Sequence, residues 1–234
     1  MKIVKSEFGH EYLTYRFGYC EHAILEPDDR IVDFYEKGFL PYSAEPEVQG
    51  VFYMARSARI ELSHFEFSSE NRRVSKRFDG VFSFNYFSIP EAKKDTRIRG
   101  LFLDYFRERH GKEIMPAKRF DAILDSPLPL RILSYEINGE LIAATLEVSG
   151  PTFGHFWFSA YDLSLVQQSL GMWLMLDAVR RAKCTGHSHY YIGTVYGEKA
   201  LYKTNLQPLE FWDGSSWNTD LTHLKKLARA ESKK

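Results

Sequence analysis

The chain has 234 residues with 31 basic and 31 acidic side chains, so its formal net charge is zero. Overall charge therefore excludes general attraction to nucleic acid, and any such contact requires a local basic patch. The two cysteines, Cys20 and Cys184, are distant in sequence and predict neither a disulfide framework nor a cysteine-based zinc site. No stretch reaches the roughly 18 apolar residues of a membrane span. We expect a cytoplasmic protein with no bound metal and no membrane partner.

The first half of the chain predicts short helices and strands in alternation. A helix opens at 27–30, where a proline and two acids suit a first turn, and Gly38 ends it. Alternating apolar residues predict an extended segment at 81–89, and helical periodicity predicts one long helix over 90–110. The other predicted elements are strands at 51–54 and 59–62 and helices at 68–78 and 116–124.

Residues 125–129, Asp-Ser-Pro-Leu-Pro, are typical of a segment that interrupts helices and strands. They predict a linker between an N-terminal region, 1–125, and a core, 126–234. After it, two β-rich runs flank Asn138 and Gly139, a pair that predicts a type I′ hairpin. The hairpin strands are predicted at 130–137 and 140–148, further strands at 153–161, 189–193 and 209–212, and helices at 173–184, 198–205 and 219–230. This order predicts a mixed α/β (α+β) layout, an antiparallel meander with one parallel addition.

Two features of the sequence suit an anion. The loop that ends at Gly171 leads into an apolar helix, and the free backbone N–H groups of a helix start favour phosphate. Packing also explains a single glycine at such a place. The helix at 68–78 carries four cations on one or two adjoining faces: Arg72, Arg73, Lys76 and Arg77. They form either a solvated face or a site for phosphate or carboxylate.

The order of elements from residue 130 onward resembles the core of the GNAT, or N-acetyltransferase-like, fold. In that fold the loop before the central helix reads Gln/Arg-x-x-Gly-x-Gly/Ala, and here Gln168 and Gly171 match it. The resemblance implies a mainly antiparallel sheet flanked by helices, with an N-terminal α+β subdomain. Trp173 replaces the small residue of the pattern, so we expect its indole to disfavour the standard coenzyme A site.

Three groups of residues resemble the aminoacyl-tRNA–protein transferases, which are the arginyltransferases and the bacterial leucyltransferases that act on N-terminal Asp or Glu. Residues 20–23 and 35–39 are similar to the family's cysteine-start and Gly-Phe segments, and 65–77 is similar to its Phe-x-x-Ser-x-x-Gln-Arg-Arg-Val-x-Arg-Arg motif. Further motifs of the family are matched by Ser-Leu-Gly at 169–171, by Tyr-Ile-Gly at 191–193 and by the segment 202–210. Ala-Arg-Ser-Ala stands at 55–58 where the family has Cys-x-x-Cys, so we expect neither a zinc nor an iron–sulfur site.

The resemblance implies a transfer reaction. A charged tRNA would donate Leu or Arg to the α-amine of proteins that begin with an acidic residue, which marks them for degradation; no cofactor other than that donor is implied. Positioning and donors aimed at the oxyanion can supply most of the rate, because the ester is activated and the amine is partly neutral. We expect no covalent intermediate, because Cys184 lies on an apolar helix and Cys20 has no identifiable base.

The candidate site residues fall into two sets. The catalytic candidates are Ser169, Gly171, Tyr191 and Tyr202. The substrate-binding candidates are Arg72, Arg73, Lys76, Arg77, Gln168, Lys199 and Lys203. The sequence leaves open which of these cations would hold RNA phosphates and which would hold the acceptor carboxylate. His155 and His189 lie near strand ends and are either proton carriers or hydrogen-bonded structural residues.

Two other functions stay open. The chain could be an acyl-CoA-dependent N-acyltransferase that uses acetyl-CoA, or a non-catalytic relative that binds acidic peptides. Binding of acetyl-CoA would support the first alternative, and binding of Asp-peptides without turnover would support the second.

Overall fold

A computed structural model describes residues 1–11 and 16–231 of the chain. The strands are β1 (Lys2–Glu11), β2 (Arg16–Ile24), β3 (Phe39–Pro41), β4 (Val51–Met54), β5 (Ser57–Glu61), β6 (Ser83–Phe87), β7 (Leu130–Ile137), β8 (Glu140–Ser149), β9 (Phe153–Tyr161), β10 (His189–Thr194), β11 (Leu209–Trp212) and β12 (Trp217–Asn218). The α-helices are α1 (Ile31–Glu36), α2 (Ser69–Ser75), α3 (Ile89–Lys94), α4 (Thr96–His110), α5 (Ala117–Leu124), α6 (Leu170–Cys184) and α7 (Leu221–Glu231). Two 3₁₀ segments complete the description, Leu163–Gln168 and Glu198–Asn205.

The main sheet has eight strands in the order β12-β11-β5-β10-β9-β8-β7-β6. Its neighbouring strands run antiparallel except for β9 and β10, which are parallel and joined through α6. Helices cover both faces: on β7, Ile132 packs with α4 and α5, whereas Leu133 packs with α6. Adjacent residues of a strand point to opposite faces, so the two helical layers lie on opposite sides. This confirms the predicted mixed fold, a mainly antiparallel sheet flanked by helices.

A smaller antiparallel sheet, in the order β1-β2-β4-β3, packs against the start of the parallel pair. Helix α1 mediates the contact, because the ring of Tyr35 lies 4.6 Å from that of Phe153 and 4.8 Å from that of Tyr191. Strands β5 and β6 come from the first 125 residues but pair within the main sheet. The division into 1–125 and 126–234 stays a prediction.

Strands β9 and β10 pair only at their beginnings. The paired residues run from Phe153 with His189 to His155 with Tyr191, and the pairing ends there. Beyond this point β10 bends at Gly193, which has a positive φ of 78°, and its register with β5 shifts. A bulge in β9 also shifts its register with β8 near Trp157. The strands therefore separate, and the edge of β9 that faces β10 loses its partner.

The Asn138-Gly139 hairpin is confirmed, because both residues have the positive φ that a type I′ turn requires, 52° and 83°. The single helix predicted over 90–110 is wrong. The chain breaks at Asp95, whose extended backbone ends α3 and whose carboxylate accepts from the backbone N–H of Arg97 and caps α4. The hairpin of β1 and β2 was not predicted from the sequence.

A buried ionic network fixes α6 to the sheet. The carboxylate of Glu147 on β8 is fully buried and lies 2.7 Å from Arg181 of α6 and 2.9 Å from Arg131 of β7. Arg181 also pairs with Asp177, which accepts a hydrogen bond from Tyr135. Burial raises the pKa of Glu147, but the two guanidinium groups outweigh burial and hold that pKa below its ordinary value.

Candidate functional site

A cavity of about 480 Å³ opens where β9 and β10 separate. This volume lies within the range of typical ligand sites, roughly 300–1,000 Å³. The walls come from both sheets and from α4, α5 and α6. The polar or aromatic residues of the walls are Cys20, His22, Tyr42, Ser43, Tyr53, Tyr105, Phe106, His110, Arg119, His155, Phe156, Trp157, Phe158, Ser159, Thr194, Tyr202 and Lys203.

The cavity is cationic. Arg119 and Lys203 both line it, and among the described residues of its walls there is no Asp or Glu. Within residues 1–11 and 16–231, neither cation has an ion pair with a carboxylate. A half-buried cation without a counter-ion carries a desolvation cost that an anionic ligand would offset. The electrostatics of the cavity therefore favour a negatively charged or oxyanionic ligand.

Lys203 reaches the point where the two strands part. Its Nζ donates to the carbonyl oxygen of Thr194 at 2.8 Å, and a methyl group at Gly193 would lie 3.4 Å from that nitrogen. Burial lowers the pKa of Lys203 to about 8. The amine is thus a desolvated donor that remains largely protonated near neutral pH, which suits stabilisation of a developing oxyanion.

His155 lines the same cavity and is 1% exposed. Its Nδ1 lies 2.9 Å from the hydroxyl of Tyr35. Burial, aided by the charge of Lys203, lowers the pKa of His155 to about 3, so the imidazole is neutral at physiological pH. The structure therefore favours a hydrogen-bonding imidazole over a group that exchanges protons by titration.

Cys20 has a potential base beside it, which corrects the expectation from the sequence. Its Sγ lies 3.7 Å from Nε2 of His22, and both residues line the cavity. Burial, with Glu21 nearby, raises the pKa of the thiol, which favours the neutral and poorly nucleophilic form. The presence of a histidine therefore does not make Cys20 an activated nucleophile.

The predicted tyrosines occupy different places. Tyr202 lines the cavity, and burial raises its pKa to about 12, so it is a neutral hydroxyl. Tyr191 is 1% exposed and packs in the core beside Tyr35 and Trp217. Burial raises the pKa of Tyr191 to about 12, even though Arg59 interacts with its hydroxyl. The catalytic role of Tyr191 stays a prediction, and its position is that of a core aromatic residue.

The loop before α6 is a tightly packed turn. Ser169 has a left-handed backbone with a φ of 67°, and its side chain is half-buried. A methyl group at Gly171 would lie 2.7 Å from the hydroxyl oxygen of Tyr161, so this glycine allows the tyrosine to approach the helix. Tyr161 rests against Tyr105, whose ring centroid is 4.8 Å away. Gly171 therefore packs against Tyr161, which in turn contacts Tyr105 of the cavity wall.

The indole of Trp173 does not enter this loop, contrary to the expectation that it would obstruct a coenzyme A site there. It is 4% exposed, donates from Nε1 to Asp79 at 2.9 Å, and lies against Phe78 and Phe82. Helical geometry explains the difference, because residue 173 turns towards the apolar core under α6.

The four cations of α2 and its C-terminal turn are exposed and lie beside the start of α6. Arg73 forms two hydrogen bonds with the carboxylate of Glu70, and Arg72 donates to the carbonyl of Phe67. Arg77 donates to the carbonyl of Gln168 at 3.0 Å, which joins the cationic helix to the loop before α6. Lys76, Gln168 and Lys199 are exposed. These residues form an outer surface, and their predicted contacts with substrate stay predictions.

Arg119 was not among the residues predicted from the sequence. It lies on α5 between the exposed Lys118 and the buried Phe120, a pattern typical of any surface helix. No local motif marks it, because its importance depends on the packing of α5 against the segment after β3. Across the described ranges, no group of three or more His, Cys, Asp or Glu side chains could hold a metal ion. In the same ranges, no helix is long and apolar enough to cross a membrane.

A mainly antiparallel eight-stranded sheet with one parallel pair that separates around a cavity is the arrangement of a GNAT-like fold. Comparison with known proteins identifies the family of the core region: residues 98–213 match the model of the arginine-tRNA-protein transferase C terminus, and this part of the chain belongs to that family. The aspartate/glutamate leucyltransferase of Rhizobium johnstonii is 28% identical over 175 residues, which cover 69% of this chain and 67% of the relative. That of Cereibacter sphaeroides, strain ATCC 17029, is 31% identical over 173 residues, which cover 69% and 60%.

Solved structures give a more distant likeness. FemX aligns with a TM-score of 0.45 and 9% identity, over 70% of this chain and 59% of that protein. An aminoglycoside acetyltransferase from a soil metagenomic sample aligns with a TM-score of 0.36 and 12% identity, over 49% and 78%.

Proposed function

We propose that this chain is an aminoacyltransferase that moves an amino acid from the 3′ ester of a charged tRNA to the α-amine of proteins that begin with Asp or Glu. Its family and the names of its relatives support this activity. The observation that carries the proposal is the cationic cavity at the separation of β9 and β10, where Lys203 has no carboxylate partner within the described part of the chain.

In the proposed reaction, the neutral α-amine attacks the carbonyl carbon of the aminoacyl ester. A carbon–nitrogen bond forms, the bond from the carbonyl carbon to the ribose oxygen breaks, and the proton of the amine passes to the departing oxygen. The tetrahedral intermediate carries a negative oxygen. In this scheme, the ammonium group of Lys203 and the backbone N–H groups at the unpaired edge of β9 beyond His155 would donate hydrogen bonds to that oxygen. No base stronger than the amine itself is needed.

The remaining site residues receive supporting roles in this proposal. The hydroxyl of Tyr202 would hold the ribose or the acceptor at the cavity wall. Ser169 and Gly171 would hold the α6 loop in place, with Tyr191 packed beneath the site. The outer surface of Arg72, Arg73, Lys76, Arg77, Gln168 and Lys199 would contact RNA phosphates, because it is exposed and adjoins the α6 loop.

The activity can be tested with purified protein and with tRNA charged with radiolabelled Leu or Arg. Peptides that start with Asp, Glu or Ala serve as acceptors. We expect label on the Asp and Glu peptides from at least one donor, and none on the Ala peptide. If neither amino acid reaches any peptide, the proposal is wrong. The same assay decides which amino acid is donated.

Two further measurements separate the alternatives. Titration calorimetry with acetyl-CoA should show no binding; a tight complex would favour an acyl-CoA-dependent enzyme instead. Binding of charged tRNA should weaken as salt rises, and Lys76→Gln should lower the log–log salt slope by about 1 if Lys76 contacts a phosphate. Lys112→Gln is the matched control, because Lys112 is exposed and precedes α5, away from α2.

We also propose that the protein acts in the cytoplasm and that the added residue marks the acceptor for degradation. Charged tRNA is the donor in this scheme, so the reaction belongs where aminoacylated tRNA is made and used. Fractionation of cells that express the tagged protein, together with the half-life of an Asp-starting reporter with and without it, tests both statements. A reporter whose half-life does not change would contradict the second.

A further inference from the structure

A second cation, besides Lys203, lines the cavity. Arg119 of α5 donates from Nε to the carbonyl of Ser43 at 2.7 Å, from Nη2 to the hydroxyl of Ser43 at 3.2 Å, and from Nη1 to the carbonyl of Ile114 at 2.5 Å. These neutral acceptors fix the plane of the guanidinium group. They use three of its five N–H donors, so two remain for another partner.

Among the described residues, no carboxylate pairs with Arg119. Burial lowers the pKa of Arg119 below its ordinary value, while the neighbouring phenols of Tyr42 and Tyr53 act in the opposite direction. Burial raises the pKa of Tyr53 to about 12, so that neighbour is a neutral hydroxyl. The neighbouring Lys118, in contrast, pairs with Glu47 on the surface. Arg119 is thus an oriented cation that faces a cavity whose described walls contain no acid.

Arg72 and Arg73, which the sequence analysis considered for binding a carboxylate, already have hydrogen-bond partners within the protein. Arg73 has both carboxylate oxygens of Glu70 as acceptors, at 2.8 and 2.6 Å, and Arg72 is bonded to the carbonyl of Phe67. Both are exposed on α2 and lie outside the cavity lining given by the described residues. An exposed arginine would also discriminate weakly between a charged and a neutral ligand, because water screens the interaction.

We propose that Arg119 binds the side-chain carboxylate of the acceptor's first residue and thereby sets the preference for Asp and Glu. This inference rests on the proposed function. The two cationic side chains that line the cavity then have separate roles. Lys203 faces the reacting ester, and Arg119 holds the acceptor so that its α-amine points away from the guanidinium group. A planar fork of N–H donors suits a carboxylate. If Asn replaced Asp, one of the two donors would meet an amide NH2 group in place of an acceptor oxygen and would stay unpaired.

The test compares peptides that differ only in Asp against Asn, or Glu against Gln, at the first position. The wild-type protein should prefer the acid by roughly 10- to 100-fold in kcat/KM, a value typical of hydrogen bonds to charged groups. Arg119→Gln should reduce that preference to about 1, mainly through a higher KM for the acidic peptide. Arg119→Lys should keep part of the preference, because it retains the charge but loses the fork.

Lys118→Gln is the matched control on the same helix, because its partner Glu47 lies outside the cavity, and it should keep the wild-type preference. Calorimetry with the same peptides gives a second readout that needs no catalysis, since Arg119→Gln should equalise their Kd values. Thermal unfolding verifies that each variant is folded, and if Arg119→Gln is unstable, Arg119→Lys carries the comparison.

The two proposals can fail separately. If the wild type transfers an amino acid and Arg119→Gln keeps its preference for Asp over Asn, the assignment of Arg119 is overturned and the proposed function stands. If no transfer occurs but calorimetry shows a preference for Asp that depends on Arg119, the assignment stands and the proposed function is wrong. Equal binding of both peptides by the wild type would also overturn the assignment.

Discussion

The hydroxyl of Tyr35 lies 2.9 Å from Nδ1 of His155, and this contact joins helix α1 to the strand that borders the cavity. Both side chains are buried, with exposed fractions of 0% and 1%. Burial raises the pKa of Tyr35 well above its ordinary value, so the phenol keeps its proton. When it donates to Nδ1, the imidazole carries its own proton on Nε2. The hydrogen bond from Tyr35 thus keeps the proton of the neutral His155 on Nε2, where it can donate to a ligand in the cavity.

Tyr35→Phe removes this partner and leaves a buried ring nitrogen without a hydrogen bond. We expect it to lower the free energy of unfolding by about 1–3 kcal/mol, measured by urea denaturation. Tyr86→Phe is the control, because Tyr86 is 53% exposed, and it should change stability by less than about 0.5 kcal/mol. Equal effects in the two variants would show that the Tyr35–His155 bond contributes nothing.

Lys203→Met should separate catalysis from stability. Loss of an oxyanion donor lowers kcat by roughly 10²- to 10³-fold. The pKa of Lys203 in the folded protein, about 8, is below the ordinary lysine pKa of 10.5, so the unfolded state holds more protons between these pH values. The lysine's contribution to stability therefore rises from pH 8 towards 10.5 and is lost as pH falls through 8.

The stability of Lys203→Met relative to wild type should consequently fall as pH rises through that window. The wild-type rate should also fall above about pH 8, where the ammonium group deprotonates. Lys226→Met, on the exposed face of α7, is the control and should keep the wild-type kcat. A variant with full activity would remove Lys203 from the mechanism.

Arg181→Met should be the most destabilising change in the helix layer. Of the described partners of the fully buried Glu147 carboxylate, it leaves Arg131 and the hydroxyl of Thr145, and it deprives Asp177 of a partner. Breaking a buried pair from one side costs about 3–5 kcal/mol. Arg180→Met, whose side chain is 39% exposed, should cost less than about 1 kcal/mol. Chemical denaturation of the two variants measures the difference, and similar values would contradict a specific role for the buried pair.

Gly171→Ala tests why the glycine of the α6 loop is needed. Its methyl group would overlap the hydroxyl of Tyr161 at 2.7 Å, and we expect a loss of about 1–3 kcal/mol in thermal unfolding. Close contact predicts coupling, so Gly171→Ala should cost much less when Tyr161→Ala is already present. If the stability losses of Gly171→Ala and Tyr161→Ala simply add, the close contact with Tyr161 is not the reason why glycine is needed at position 171.

Local patterns were sufficient for most elements and for part of the site. The Asn138-Gly139 pair specified the hairpin through its backbone preference, and the β-rich runs on either side of it specified β7 and β8. The motif at 202–210 supplied Tyr202 and Lys203, which do line the cavity. The break at Asp95 was missed because a capping aspartate is compatible with a continuous apolar stripe on either side of it.

The sequence by itself determined most of the strands and helices and the two motif residues at the cavity, because dihedral preferences and periodicity act between neighbours in the chain. Only the tertiary structure decided that β9 and β10 separate after His155, that Trp173 turns into the core, and that Arg119 faces Lys203's cavity. Those outcomes depend on how α5, α6 and the smaller sheet pack. Packing is set by the summed contacts of residues distant in sequence, which no local pattern records.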